Sequence, residues 1–202
     1  MKKFRSIQLA CLFLCLICFF LSGCSSKSKP EEDILSVCKI ILQQDKDSAS
    51  KFDLNPKDLH DVLLNGFTKQ FGDSVFSKEQ ATRMGEAFIN TLKKAKVSAK
   101  TISEDGDKAE VELTITPIDL KAALDDKALN KALEKKGLSP NTTEKELAEI
   151  VTQIMVEQIN NASPAGDKKI KVPCTYNEKE KVWMPNDMEQ FSEQLALTAL
   201  CL

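Results

Sequence analysis

Between residues 105 and 117 the chain changes its period. Ala109, Val111, Leu113 and Ile115 alternate with Lys108, Glu110, Glu112, Thr114 and Thr116, so one face of a strand is apolar and the other wet. Asp105-Gly106 just before it is a two-residue hairpin signal and predicts a partner strand over 97–104. A second alternation, Ile170, Val172, Cys174 and Tyr176, reaches the turn residues Asn177, Glu178 and Lys179, and Val182, Trp183 and Met184 return. Pro117 and Pro185 close the two hairpins, because a proline has no N–H to give to a ladder. Strands joined by short turns must run antiparallel, since parallel strands need a long crossover. The expected fold class is therefore α+β: an antiparallel sheet built from two hairpins with helices packed on one face.

The rest of the chain supplies those helices. Ile34, Leu35, Cys38, Ile41 and Leu42 recur at helical spacing, and the polar stretch 46–51 breaks the pattern. Asn55-Pro56 reads as cap and first position of a second helix through Leu59, Val62, Leu63, Phe67 and Phe71, stopped by Gly72. Ser77 with Gln80 forms a capping box ahead of Ala81, Met84, Phe88, Leu92 and Ala95. Asp119 caps a helix running from Leu120 to Leu133 before Gly137, and Thr143 with Glu146 opens another through Ile150, Ile154 and Ile159. Residues 160–169, with Pro164 and Gly166, read as a loop. Asn186 or Asp187 then caps a last helix carrying Phe191, Leu195, Ala199 and Leu202.

The start of the chain has a different character. Lys2, Lys3 and Arg5 precede an apolar run over 7–21 that is too short and wrongly flanked for a lasting membrane span, and Leu21-Ser22-Gly23-Cys24 follows. This resembles the signal peptide and lipobox of bacterial lipoproteins. The resemblance covers residues 1–26 and implies cleavage between Gly23 and Cys24, with Cys24 as the lipidation site. A diacylglycerol on its thiol and an amide-linked acyl chain such as palmitate give more than one anchor, so attachment needs no basic patch. The expected organisation is a signal peptide over 1–23, a lipidated tether over 24–33 and a single α+β domain over 34–202. The expected location is the cell membrane, lipid-anchored on its extracytoplasmic face, or an outer membrane if the cell has one.

Composition narrows the partners. The chain carries 28 basic against 30 acidic side chains, and loss of Lys2, Lys3 and Arg5 leaves the remainder more acidic, which argues against nucleic acid. Of seven cysteines, Cys11, Cys15 and Cys18 leave with the signal peptide and Cys24 takes the lipid. Cys38, Cys174 and Cys201 remain, either as small buried apolar residues or as one disulfide and one free thiol; if a bond forms, Cys38 to Cys201 is the candidate, since it would hold down the end of the chain.

Little in the chain points to catalysis. The single histidine, His60, has Asp58 and Asp61 as neighbours in sequence, but helical neighbours one residue apart point elsewhere, so it reads as a solvent-edge residue. With no second histidine and no paired cysteine spacing, no metal is expected. Asp105, Gly106 and Asp107 lack the bidentate glutamate of a calcium loop and read as a turn. No glycine-rich phosphate loop occurs, and no cofactor is expected. Trp183 and Tyr176 are the only Trp and Tyr of the chain and both fall in the second hairpin. They form either the floor of a candidate pocket or part of the core packing.

Helices, a charged hairpin ending in Thr114-Ile115-Thr116-Pro117, a further helix, then a Lys-rich hairpin carrying Trp183 resemble, over residues 33–202, the uncharacterised envelope lipoproteins with an NTF2-like (cystatin-like) domain. The resemblance implies a curved sheet wrapped around a helix to form a cone, used by some members as a ligand or enzyme site and by others as a scaffold. This chain departs from the enzyme-bearing members in offering no acid and histidine pair at matching places. The expected function is thus a non-enzymatic binding or interaction module of the cell envelope, meeting an envelope protein or a small apolar ligand. The alternative is an envelope hydrolase with an acid site in the cone.

Overall fold

Four strands, β1 (Lys96–Asp105), β2 (Lys108–Thr116), β3 (Lys168–Asn177) and β4 (Val182–Pro185), form one antiparallel sheet in the order β1-β2-β3-β4. The computed structural model describes residues 27–202 apart from 53, 72–75, 138 and 140. The signal peptide, Cys24 and the helix stop at Gly72 lie outside the described residues. Register explains the burial. Val111 opposes Thr101 on one side and Val172 on the other, and Leu113 opposes Ala99 and Ile170, so Ala109, Val111, Leu113 and Ile115 share a buried face with Ile170, Val172, Cys174 and Tyr176. The opposite face is wet and laced by charge: Lys169 Nζ lies 2.7 Å from Glu112 and Lys171 Nζ 3.3 Å from Glu110.

Eight helices are described: α1 (Pro30–Gln43), α2 (Lys46–Lys51), α3 (Pro56–Phe71), α4 (Lys78–Leu92), α5 (Leu120–Ala123), α6 (Asp126–Lys136), α7 (Glu144–Asn161) and α8 (Met188–Ala199). α1 lies along the buried face of the sheet through Ile34, Val37, Cys38 and Ile41, and α8 adds Phe191, Leu195 and Ala199 to the same core. α4 packs between α3 and α7, latched by Arg83 to Glu149 at 2.7 Å and by the buried Thr91 hydroxyl donating to Ile159 O at 3.0 Å. The two expected capping boxes, Ser77 with Gln80 and Thr143 with Glu146, are both present, Asp119 caps as expected, and of Asn186 and Asp187 it is Asp187 that caps the last helix.

Five local readings are corrected. Residues 46–51 form α2 because Asp45 accepts the Ser48 N–H at 2.8 Å; a polar stretch with a competent cap is a helix and not a break. The helix expected to run from Leu120 to Leu133 is cut in two, since Asp125 caps a new start by accepting the Ala128 N–H at 2.6 Å. The first hairpin turn is Gly106-Asp107, one residue later than expected. Asp105 pairs with Lys108, and Gly106, in the first loop position, takes φ +61° as in a type II′ turn. The last helix ends at Ala199, and Cys201 turns away at φ +54°. Finally, α1 begins at Pro30, so the expected tether over 24–33 gives way to helix before the domain boundary at 34. Proline at the first helical position, followed by Glu31, Glu32 and Asp33, suits the positive end of the helix dipole.

Candidate functional site

The densest polar arrangement among the described residues lies where the N-terminal segment meets α1 and the hairpin ends. Asp33 sits in the first turn of α1 and is fully buried. Its Oδ2 accepts the Trp183 backbone N–H at 2.9 Å and the Ser28 hydroxyl, and its Oδ1 lies 2.5 Å from Lys51 Nζ. A buried carboxylate is costly unless its oxygens are bonded and its charge is met. Here both oxygens are bonded, and α2 supplies the lysine. The sequence dictates the placement through helix phase: Asp33 shares with Pro30 and Val37 the stripe of α1 that turns inward.

Ser28 also accepts the Trp183 indole N–H on its backbone oxygen at 2.7 Å. Lys27 then closes over the hairpins. Its Nζ donates to Gly106 O and Asp107 Oδ1, each at 2.6 Å, and stands 4.9 Å from the Tyr176 ring centroid and 5.3 Å from that of Trp183. The two rings are themselves 5.3 Å apart and tilted by 59°, in the range where tilted aromatic pairs and cation–π contacts are favourable. The hydrogen bond that Lys27 donates to Asp107, reinforced by the charges of Asp107, Glu178 and Glu104, raises the Lys27 pKa above its ordinary value. On β1, Thr101 donates to Glu31, which holds that carboxyl below the usual glutamate range. The whole is a clasp that fastens residues 27–33 to both hairpins.

Trp183 is 0% and Tyr176 7% exposed; both are core residues, because the inner face they line is filled by α1, and the pocket reading is corrected. Cys38, Cys174 and Cys201 are all free thiols, so the Cys38–Cys201 bond is not formed. The chain end is held instead by the Ile118 N–H donating to Ala199 O at 2.8 Å and by buried Leu200. Burial raises the Cys38 thiol far above the usual range and, with Asp33 and Glu104 nearby, pushes Cys174 up to about 11. His60 Nε2 lies 3.1 Å from Glu86 Oε1 across α3 and α4, both side chains partly exposed. That contact joins two helices and stands off the inner face of the sheet. Among the described residues no group of three or more His, Cys, Asp or Glu is placed to hold a metal ion. A groove of about 510 Å³ lies between α6 and α7, lined by Lys131, Lys135, Ile154 and Glu157 among others.

Lys27, Ser28, Asp33 and Lys51 were invisible as a site from sequence. Asp33 reads as one of three acids opening a helix, and only its position four residues before Val37 hints that it faces inward.

A family model described as Domain of unknown function (DUF5105) matches residues 41–198. Among solved structures the chain is similar to the crystal structure of a candidate lipoprotein, ycdA, from Bacillus subtilis subsp. subtilis str. 168. The TM-score is 0.62 and the identity 19%, and the match covers 85% of this chain and 55% of that one. At that identity the likeness is one of fold, and the chain spans little more than half the length of the ycdA protein. No curated protein matches the sequence.

Proposed function

The chain belongs to the family described as Domain of unknown function (DUF5105), and from that premise we propose that it is an envelope lipoprotein, anchored through Cys24, whose domain is a non-enzymatic interaction module. The domain is read as an NTF2-like variant whose cone is packed solid. The observation that carries this reading is the filled inner face of the sheet: Val111, Leu113, Ile115, Val172 and Trp183 are each no more than 3% exposed beneath α1 and α8. A small apolar ligand would have to displace that core. The buried carboxylate of the interior, Asp33, is already engaged by Trp183, Ser28 and Lys51. What the domain offers outward is the wet face of the sheet, where Lys100, Glu110, Glu112, Lys169 and Lys171 alternate in sign. Such a surface suits an envelope protein better than an apolar ligand. The lipobox residues Ser22, Gly23 and Cys24 and the likeness to ycdA, itself a candidate lipoprotein, support the anchor. No helix among the described residues is long and apolar enough to cross a membrane.

Labelling cells with an alkyne fatty acid tests the anchor: incorporation should be lost in Cys24→Ser. Photo-cross-linking from position 100 or 112 in native membranes tests the module. A discrete cross-linked protein is expected, and its absence beside a fold-stabilising small molecule would replace this reading with a ligand carrier.

A hydrolase reading draws on one observation, the carboxylate of Glu86 beside His60. If that pair acts on an envelope substrate, His60→Gln should abolish hydrolysis by the purified full chain while leaving its unfolding midpoint unchanged.

A further inference from the structure

We propose that the clasp over residues 27–33 holds the domain in one orientation on the bilayer, with both hairpin turns facing the lipid surface and the sheet standing upright on it. This rests on the proposed anchor at Cys24. Lys108 opposes Thr175 across β2 and β3, so the turn at Gly106-Asp107 and the turn over 178–181 lie at the same end of the sheet. The opposite end is formed by Lys96, Thr116 and Lys168. Lys27 is bonded to the first of these turns through Gly106 O and Asp107 Oδ1, and Ser28 is bonded to Trp183, next to the second turn.

Only three residue steps separate Cys24 from Lys27. Fully extended, they reach about 11 Å, so a lipid on Cys24 keeps the Lys27 backbone within about that distance of the lipidated residue, and the first hairpin turn lies one lysine side chain beyond it. The ten residues of β1 span about 30 Å, and α1 runs the same way, from the clasp to Gln43, whose amide donates to Ala95 O at 2.9 Å beside the far end. A tether with no contacts would let the domain tumble about its anchor. Here residues 27–33 are fixed to the body they carry, so the far end projects away from the lipid and the wet face of the upright sheet looks sideways. The turns bear mixed charge, Glu104, Asp105, Glu178 and Glu180 among Lys108, Lys179 and Lys181, so the short docked tether sets the orientation, and attraction to anionic lipid plays no part.

The test uses full-length acylated protein on phosphatidylcholine vesicles that carry a nitroxide on the headgroup. In a Cys201→Ser background a fluorophore is placed by Glu178→Cys at the near end or by Lys168→Cys at the far end; both positions are exposed. The expected result is strong quenching at 178 and none above nitroxide-free vesicles at 168, unchanged by added salt or phosphatidylglycerol. Equal quenching, or the reverse order, overturns the orientation while leaving the anchor intact. Protein that does not float with the vesicles overturns the anchor and the orientation together. Inserting a Gly-Ser stretch long enough to span the domain between Ser26 and Lys27 should erase the contrast, because a flexible chain reaches about 5–6 Å × √n. A contrast that survives the insertion overturns the tether as its cause.

Discussion

The sheet with α1 and the helix α6 are drawn from similar amphipathic patterns, yet only the first converts its pattern into a core. α1 buries Ile34, Val37, Cys38 and Leu42 against strands distant in sequence. α6 buries no residue: Leu129 and Leu133 rest half-exposed beside α7, and the helix is defined by its ends, Asp125 capping the start and Gly137 at φ +62° closing it. Caps and propensity decide that a helix exists. Burial of a face decides how hard it is to remove. The clasp belongs to the first kind of region, although it is polar, because Asp33 is buried with its partners around it.

The largest test of that contrast is Trp183→Ala, expected to cost about 3–5 kcal/mol in denaturant unfolding; a loss below about 1 kcal/mol would take Trp183 out of the core. Asp33→Ala should follow at about 2–3 kcal/mol, since it strands the buried Trp183 N–H and frees Lys51 and Ser28. In the other region, Asp125→Ala removes a cap and is expected to cost about 1 kcal/mol or less. Its effect should show in amide exchange of 126–136, which speeds up while α1 and β2 keep their protection. An Asp125 variant that exposes α1 as well would erase the distinction between the regions.

The smallest effect is on pH. Thr101 holds Glu31 low, Lys169 holds Glu112 low, and Arg83, Gln153 and Gln80 hold Glu149 low. Carboxyls depressed in the folded state bind fewer protons there than when unfolded, so their contribution is present above the ordinary glutamate value near about 4.3 and is lost as pH falls through the folded values. The unfolding midpoint should stay level from neutral pH to about 5 and fall below about 4.3, and Glu31→Gln should make that fall shallower. A midpoint that rises on acidification would contradict the assignment.

Sequence reading recovered what depends on neighbours along the chain. The stripe from Ala109 to Ile115 has a period of two and one dry side, so the strand and its inner face follow directly. Ser77 with Gln80 and Thr143 with Glu146 announce their helices through bonds that span three residues. It failed where two local options compete closely: Asp125 cuts a helix that periodicity runs through, and Asp45 starts one that polarity discourages. It could not reach the clasp. Asp33 and Trp183 are 150 residues apart, and the carboxylate is buried only because the second hairpin arrives beside it. The same distance hid the fate of Trp183, since a lone aromatic reads alike as pocket floor or core until the helix above it is placed.

The sheet has two edges, and both are poor templates. β4 has four residues and ends in Pro185. β1 is long, but its register slips between Thr101 and Ser103, leaving Ile102 46% exposed, and Lys96 and Lys100 stand on it. A strand arriving from another copy could keep step with only half of β1 before the slip threw its side chains onto the wrong face. Crowding many such domains side by side therefore does not join them strand to strand, because neither edge lets one sheet continue into the next.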